Sequence, residues 1–121
     1  MANEISIAAA LSARVGNVQL AAQATTQADQ TSPGGVQRRQ TVPTSDTALT
    51  LTGVATPRAI HITNLDATNY VDIGPESGGA IVALIRLRAG ETCVFPIKPG
   101  TVIRAQANTA SVTIESLVLE T

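Results

Sequence analysis

Few side chains in this 121-residue sequence are capable of acid–base or nucleophilic chemistry, and they form no catalytic pattern. His61 is the only histidine and lies between two isoleucines on a predicted strand, so it points to the opposite face from them. A general base works beside a nucleophile and an orienting carboxylate, and the sequence places neither near His61. Cys93 alternates in phase with Phe95, which is typical of a small buried apolar residue. We therefore predict a surface or interface histidine, a buried cysteine and no enzymatic activity.

Candidate metal and phosphate ligands are equally sparse. Asp66, Asp72 and Glu76 fall around two predicted turns and offer oxygen ligands for Ca²⁺, but they lack the dense spacing of a dedicated calcium loop. One cysteine excludes an internal disulfide and a cysteine-based zinc site. Two glycine pairs, Gly34–Gly35 and Gly78–Gly79, are followed by no Lys-Ser/Thr and by no helix, so they are not phosphate loops. We predict solvated turn carboxylates, no metal and no cofactor.

Positive charge is concentrated in two short clusters. Arg38 and Arg39 are adjacent in a polar segment, and we place them among the candidate interface residues. Arg86 and Arg88 share one face of a predicted strand. That pair is able to meet carboxylates on a partner subunit, or to protect an exposed sheet edge from unwanted pairing.

Composition excludes several classes of function. The net charge is −1, and there is one Phe, one Tyr and no Trp, so we expect no nucleic-acid binding. No apolar run approaches the ~20 residues of a membrane span, and no signal peptide is recognisable, so we expect a protein made in the cytoplasm. Charged residues are 14% of the chain, against ~25% in an average soluble domain. A surface covered by neighbouring subunits and a monomer with a Thr/Ser/Gln-rich surface both explain this composition.

The N-terminal segment changes the parity of its apolar residues across Gly16–Asn17. Apolar side chains occupy odd positions before this pair and even positions after it. Two-residue alternation indicates strands, and Gly-Asn is typical of a primed hairpin turn, so Val15 should face Val18 and Leu11 should face Ala22. This parity favours a hairpin over the helix that the alanine-rich start also partly fits. A lone ribbon is marginally stable, so its apolar face needs cover; the residues predicted to make this contact are Ile5, Ile7, Leu11, Val15, Val18 and Leu20.

The rest of the chain predicts a connector and a body of short strands. The polar segment 27–46 contains Pro33 and Pro43 and suggests one short strand around 36–42, so we assign 1–46 to the arm and connector and 47–121 to the body. From residue 47 onward short strands alternate with Gly/Pro/Asn turns, without a convincing helix. We expect strands at 48–51, 58–64, 70–73, 80–88, 92–97, 102–106 and 111–119. The expected core residues are Leu49, Leu51, Ile60, Ile62, Val71, Ile73, Phe95, Val112 and Ile114.

This pattern indicates an all-β fold, an antiparallel β-sandwich of jelly-roll type with an N-terminal β-hairpin. The stretch Ile62-Thr-Asn-Leu-Asp-Ala-Thr-Asn-Tyr-Val-Asp-Ile-Gly74, followed by Leu87-Arg-Ala-Gly-Glu91, a Pro-Gly-Thr turn at 99–101 and a terminal strand, resembles small virion proteins of tailed bacteriophages. The opening Met-Ala-Asn-Glu-Ile-Ser-Ile is similar to theirs as well. The resemblance implies a structural component of a phage particle, a head decoration (cement) protein.

The sequence thus supports one leading hypothesis and two others. The first is a non-enzymatic virion protein that oligomerises as a trimer and binds the major capsid protein or another virion protein through its N-terminal segment. The second is a receptor- or carbohydrate-binding module at a tail or fibre, which the scarcity of aromatic residues disfavours. The third, a small cupin-like enzyme, lacks the two or three histidines of the usual metal centre.

Overall fold

The N-terminal ribbon forms as the parity switch predicts. The computed structural model describes residues 5–28, 35–51 and 54–120. β1 (Ile5–Val15) and β2 (Val18–Ala28) pair antiparallel along their whole length, with Val15 opposite Val18 and Leu11 opposite Ala22. Gly16 has a φ of 57°, the left-handed conformation that a primed two-residue turn requires. The predicted hairpin and its register are confirmed.

The body is an antiparallel sandwich of two sheets, which confirms the predicted fold class. One sheet has the order β3-β11-β5-β9, and the other has the order β4-β10-β6-β7, with β8 also paired to β6. No helix occurs in the three described ranges. The body strands are β3 (Gly35–Val42), β4 (Thr47–Ala48), β5 (Pro57–Asn64), β6 (Val71–Ser77), β7 (Ala80–Ile81), β8 (Ile85–Leu87), β9 (Thr92–Pro96), β10 (Ile103–Ala107) and β11 (Val112–Glu120).

The core lies between these two sheets. Successive side chains of a strand point to opposite faces, so β5 and β11 send their even-numbered residues inward. Most predicted core residues are buried, whereas Leu51 and Phe95 are half-buried and pack against the cluster. The core also contains residues that were not predicted: Val42, Leu87, Ile97, Ile103, Ala105, Ala107 and Val118.

Strand β3 lies inside the predicted connector and is an edge strand of the sandwich. It pairs with β11 from Gly35 to Val42, and Val42 is fully buried. The short strand expected within the connector is therefore confirmed, and it contributes to the core. Residues 29–34 of the connector, including Gly34, lie outside the described residues.

Two strand boundaries differ from the prediction around Gly74. Strand β6 continues through Gly74 and Pro75, because both residues pair with β10. The single strand expected at 80–88 is divided into β7 and β8, since residues 82–84 leave the regular ladder and cross over Gly74. A Cβ atom at position 74 would collide with the Val82 carbonyl group, so only glycine allows this approach. The strand expected at 48–51 is also shorter and spans Thr47–Ala48.

An ion-pair cluster connects the strands of the β4-β10-β6-β7 sheet. The Arg104 guanidinium donates to Asp46 Oδ1 at 2.6 Å and to Glu76 Oε1 at 2.8 Å. Asp46 Oδ2 also accepts the backbone N–H of Ile81 at 2.8 Å. The hydrogen bond from Arg104 lowers the pKa of Asp46 below 3.8, and the bond from Ile81 acts in the same direction.

Replacing Asp46 by Asn is expected to destabilise the protein at neutral pH and to have little effect in acid. A carboxyl group whose pKa is lower in the folded chain stabilises the fold above its unfolded pKa of 3.8, and that contribution disappears as pH falls through the folded pKa. The difference in unfolding free energy between wild type and Asp46→Asn should therefore be full above about pH 5 and vanish well below pH 4. Urea unfolding between pH 2 and pH 7 measures it. Glu91→Gln is the control, because Glu91 lies 3.7 Å from an exposed Arg88; an equal loss in both variants would contradict the prediction.

Candidate functional site

The side chains considered for catalysis, His61 and Cys93, make contacts with other residues of the chain. His61 is exposed, and its Nε2 lies 3.0 Å from the Thr92 hydroxyl group. The same hydroxyl lies 2.9 Å from the Ile62 carbonyl and 3.1 Å from the Thr63 hydroxyl, so Thr92 has three polar neighbours within hydrogen-bond distance. The structure places His61 on the surface, as predicted.

Cys93 is half-buried and packs against the core. Burial raises the pKa of its thiol, which disfavours the reactive thiolate form. The half-buried position agrees with the small apolar role predicted from the alternation of β9.

The three carboxylates considered as calcium ligands have separate partners within the chain. Asp66 accepts the backbone N–H of Asn69 at 2.6 Å and that of Thr68 at 2.9 Å, and these bonds lower the pKa of Asp66. Asp72 holds Arg86 in a two-pronged contact of 2.7 and 3.0 Å, and Glu76 belongs to the Arg104 cluster. Within residues 5–28, 35–51 and 54–120, no group of three His, Cys, Asp or Glu side chains is arranged to hold a metal ion.

Arg39, Arg86 and Arg88 form ion pairs inside the chain. Arg39 donates to Glu115 at 3.0 Å, and this bond lowers the pKa of that carboxyl group. Arg86 binds Asp72 and lies 3.9 Å above the Tyr70 ring. Arg88 lies 3.7 Å from Glu91. Arg38, the other arginine predicted at an interface, is half-buried on β3.

The base of the hairpin is seated on the outer face of the β3-β11-β5-β9 sheet. Ile5 is 1% exposed, and Ile7 is half-buried. Together they line a recess of about 160 Å³ whose other apolar lining residues are Ala59, Ile60, Val94, Leu117 and Leu119. This contact explains why the end of β11 is apolar on both faces: one face belongs to the core and the other receives the hairpin. The seat fixes the direction in which the ribbon leaves the body.

Beyond Ile7 the ribbon extends into solvent with its apolar face uncovered. We call residues 8–27 the arm; its described side chains are all exposed. Leu11 is 80% exposed, Leu20 66% and Val18 59%. Val15 pairs with Val18 next to the turn, and its side chain is not among those described. Of the predicted contact residues, Ile5 and Ile7 are thus used within the chain, while Leu11, Val18 and Leu20 are available to a partner.

A second apolar surface, which sequence reasoning missed, opens between the sheets beside Gly74. We call it the Leu84 groove. Its volume is about 230 Å³, and its lining consists of Ile73, Gly74, Pro75, Leu84, Ile85, Phe95 and Ile103. Leu84 itself is 78% exposed. The one feature of the sequence that could have indicated this groove is the apolar run Ala80-Ile-Val-Ala-Leu-Ile85, in which no polar residues alternate with the apolar ones.

The fold and the arm together define a class of molecule, an all-β sandwich that carries a projecting apolar ribbon. No family model matches the sequence, and no curated protein matches it. Among solved structures, a similar chain belongs to the work described as "Bacillus endospore appendages form a novel family of disulfide-linked pili". It is 15% identical with a TM-score of 0.45, and the match covers 77% of this chain and 92% of that one. In the described part of the chain, no helix is long and apolar enough to cross a membrane.

Proposed function

We propose that this protein is a non-enzymatic structural subunit of a tailed-phage particle, a decoration protein that binds and stabilises the capsid lattice. It is made in the host cytoplasm, forms a homo-oligomer, a trimer in our hypothesis, and ends in the virion. The observation that supports an assembly role is the arm: a ribbon with one apolar face, held at its base and exposed along the rest. The phage context comes from the sequence pattern described above.

The arm is suited to binding because its geometry is set before a partner arrives. Ile5 is buried against the body, and the ladder from β1 to β2 is continuous over eleven residue pairs. A partner therefore does not have to order the ribbon on binding, and preorganisation of this kind increases affinity. The apolar face of the arm carries no charge. Arg14, the charged residue of the arm, lies on the other face, where it pairs with Gln19. An apolar capsid surface is the complementary partner.

Binding to phage particles tests this function. We expect the purified protein to sediment with capsids assembled from the phage genome that encodes it, and Leu11→Glu to weaken this binding at least about tenfold. Burying a leucine is worth about 1.5–3 kcal/mol, and a buried glutamate adds a desolvation cost. Ser12→Glu is the matched control, because it adds the same charge one residue away on the other face of β1. Absence of wild-type binding, or equal binding by Leu11→Glu, would refute the proposal.

The tail- or fibre-associated receptor or carbohydrate module has no described feature in its favour. Sugar rings stack on exposed aromatic faces. The chain's one tyrosine, Tyr70, is half-buried with Arg86 over its ring, and its one phenylalanine, Phe95, packs against the core.

A further inference from the structure

We propose that the arm of one copy binds in the Leu84 groove of the next copy, so that the protein self-associates head to tail. This inference rests on the proposed function in one respect, that the arm is an assembly element. It adds a second partner, on the same polypeptide, for the same apolar face of the arm, so self-association and capsid binding compete for that face.

The Leu84 groove is built to receive aliphatic side chains. Its volume of about 230 Å³ is below the ~300–1,000 Å³ of a typical small-molecule pocket. Its walls are apolar side chains together with the Gly74–Pro75 segment. Two further exposed valines border it: the Val82 N–H donates to the Pro75 carbonyl, and the Val102 carbonyl accepts the Glu76 N–H. Such a surface offers nothing to a charged ligand and matches an uncharged apolar ribbon.

The occupant has to come from another copy, because the arm of the same chain points elsewhere. The base of the arm is seated near Val94, on the outer face of β9. The next residue, Phe95, points to the inner face of the same strand and lines the groove. One chain therefore presents an apolar ribbon and an apolar groove on opposite faces of one sheet, and neither covers the other. A second copy supplies both missing partners.

The area that one arm and one groove can bury predicts a weak association for a single contact and a stronger association in a closed ring, where each copy makes two contacts. Beyond the seated base, eight residues of β1 (8–15) at about 3.3 Å each give a free ribbon roughly 26 Å long, and its two strands present a face of roughly 250 Å². One arm–groove contact then buries at most roughly 500 Å² over both partners, below the ~1,200 Å² of a stable protein interface. In a ring each copy makes two such contacts, one as donor and one as acceptor. Because the two surfaces differ, the contact is heterologous, a type that forms a closed ring when the rotation between copies closes and an open filament when it does not.

Light scattering on the full-length protein across micromolar concentrations tests the inference. We expect wild type to be oligomeric, and Leu20→Glu in the arm and Leu84→Glu in the groove each to weaken association by roughly 30-fold or more, as the loss of a central interface residue does. The replaced leucines are 66% and 78% exposed, so both variants should fold. Gln19→Glu, on the other face of the arm, and Leu65→Glu, an exposed leucine outside the groove lining, are matched controls that should remain oligomeric.

Mixing the two defective variants separates this arrangement from arm-to-arm packing. Leu84→Glu keeps an intact arm, and Leu20→Glu keeps an intact groove, so the mixture can make one arm–groove contact. At the highest concentrations at which each variant alone stays monomeric, it should form a weak complex of twice the mass of one chain that grows no further. A monomeric wild type, an oligomeric Leu84→Glu variant, or a mixture without a complex would each overturn the inference. Failure here leaves the proposed function separately testable, because Leu84→Glu retains the arm and its binding to phage capsids is measured independently.

Discussion

Replacing Asn64 by alanine is expected to lower the free energy of unfolding by about 3 kcal/mol, since it leaves several buried backbone groups without partners. Asn64 is fully buried at the end of β5. Its Nδ2 donates to the carbonyls of Asn69 and Leu87, both at 2.9 Å, and its Oδ1 accepts the Asp66 N–H at 2.8 Å. One amide thus joins the turn after β5 to the end of β8. Alanine supplies none of these three bonds, and the space it vacates is surrounded by polar groups.

Urea denaturation of wild type and variant measures this effect as a shift in the midpoint. Asn64→Asp is informative beside it, because aspartate keeps the acceptor for Asp66 and loses both donors. Thr113→Ala, an exposed substitution on β11, is the surface control and should change stability by less than about 0.5 kcal/mol. A loss below about 1 kcal/mol in Asn64→Ala would show that water or a relaxed turn replaces the amide.

The second large effect is expected in the core. Ile62 is fully buried on the inner face of β5, between the cross-strand neighbours Ser116 and Cys93. Truncation to alanine removes three carbons and leaves a cavity that the two paired sheets cannot close, so Ile62→Ala should cost about 2–5 kcal/mol. For a chain of this length that loss lowers the melting temperature by roughly 10 °C or more. Calorimetry or thermal circular dichroism measures the shift.

A graded series shows whether the loss comes from packing. Ile62→Val should cost only about 0.5–1.5 kcal/mol, because one methyl group is removed. Arg58→Ala, at an exposed position of the same strand, should leave the melting temperature nearly unchanged. If Ile62→Val and Ile62→Ala were equally destabilised, the cavity explanation would be wrong.

The sequence predicted those parts of the fold that local alternation controls. The parity switch at Gly16–Asn17 determined the hairpin and its register, because the two-residue period of a strand leaves one arrangement with a single apolar face. The inner faces of β5 and β11 followed from the same rule. The expected strand at 70–73 ends before Gly74–Pro75, because such a pair is typical of turns. Pairing with β10 and the crossing of residues 82–84 override that local preference, and neither is visible in a single strand's pattern.

The sequence predicted the apolar face of the arm but not the Leu84 groove. The apolar stripe of the arm was evident, but which of its residues would be covered within the chain depends on a contact between distant segments. Ile5 meets Leu117 and Leu119, more than a hundred positions away, and the sequence marks this only through the apolar outer face of β11. The sequence did not predict the Leu84 groove, because a continuous apolar run is typical of a buried strand. Its exposure results from the detour over Gly74.

The unbroken pairing of the ribbon also limits how this protein can vary. Adding one residue to each strand between the seated base and the turn would turn the outer part of the ribbon over, placing Leu11 and Leu20 where Ser12 and Gln19 now lie. Adding two residues to each strand preserves the faces and lengthens the ribbon by about 7 Å. The distance at which neighbouring bodies are held is therefore adjustable only in steps of two residues per strand, and related chains should differ in ribbon length by even numbers.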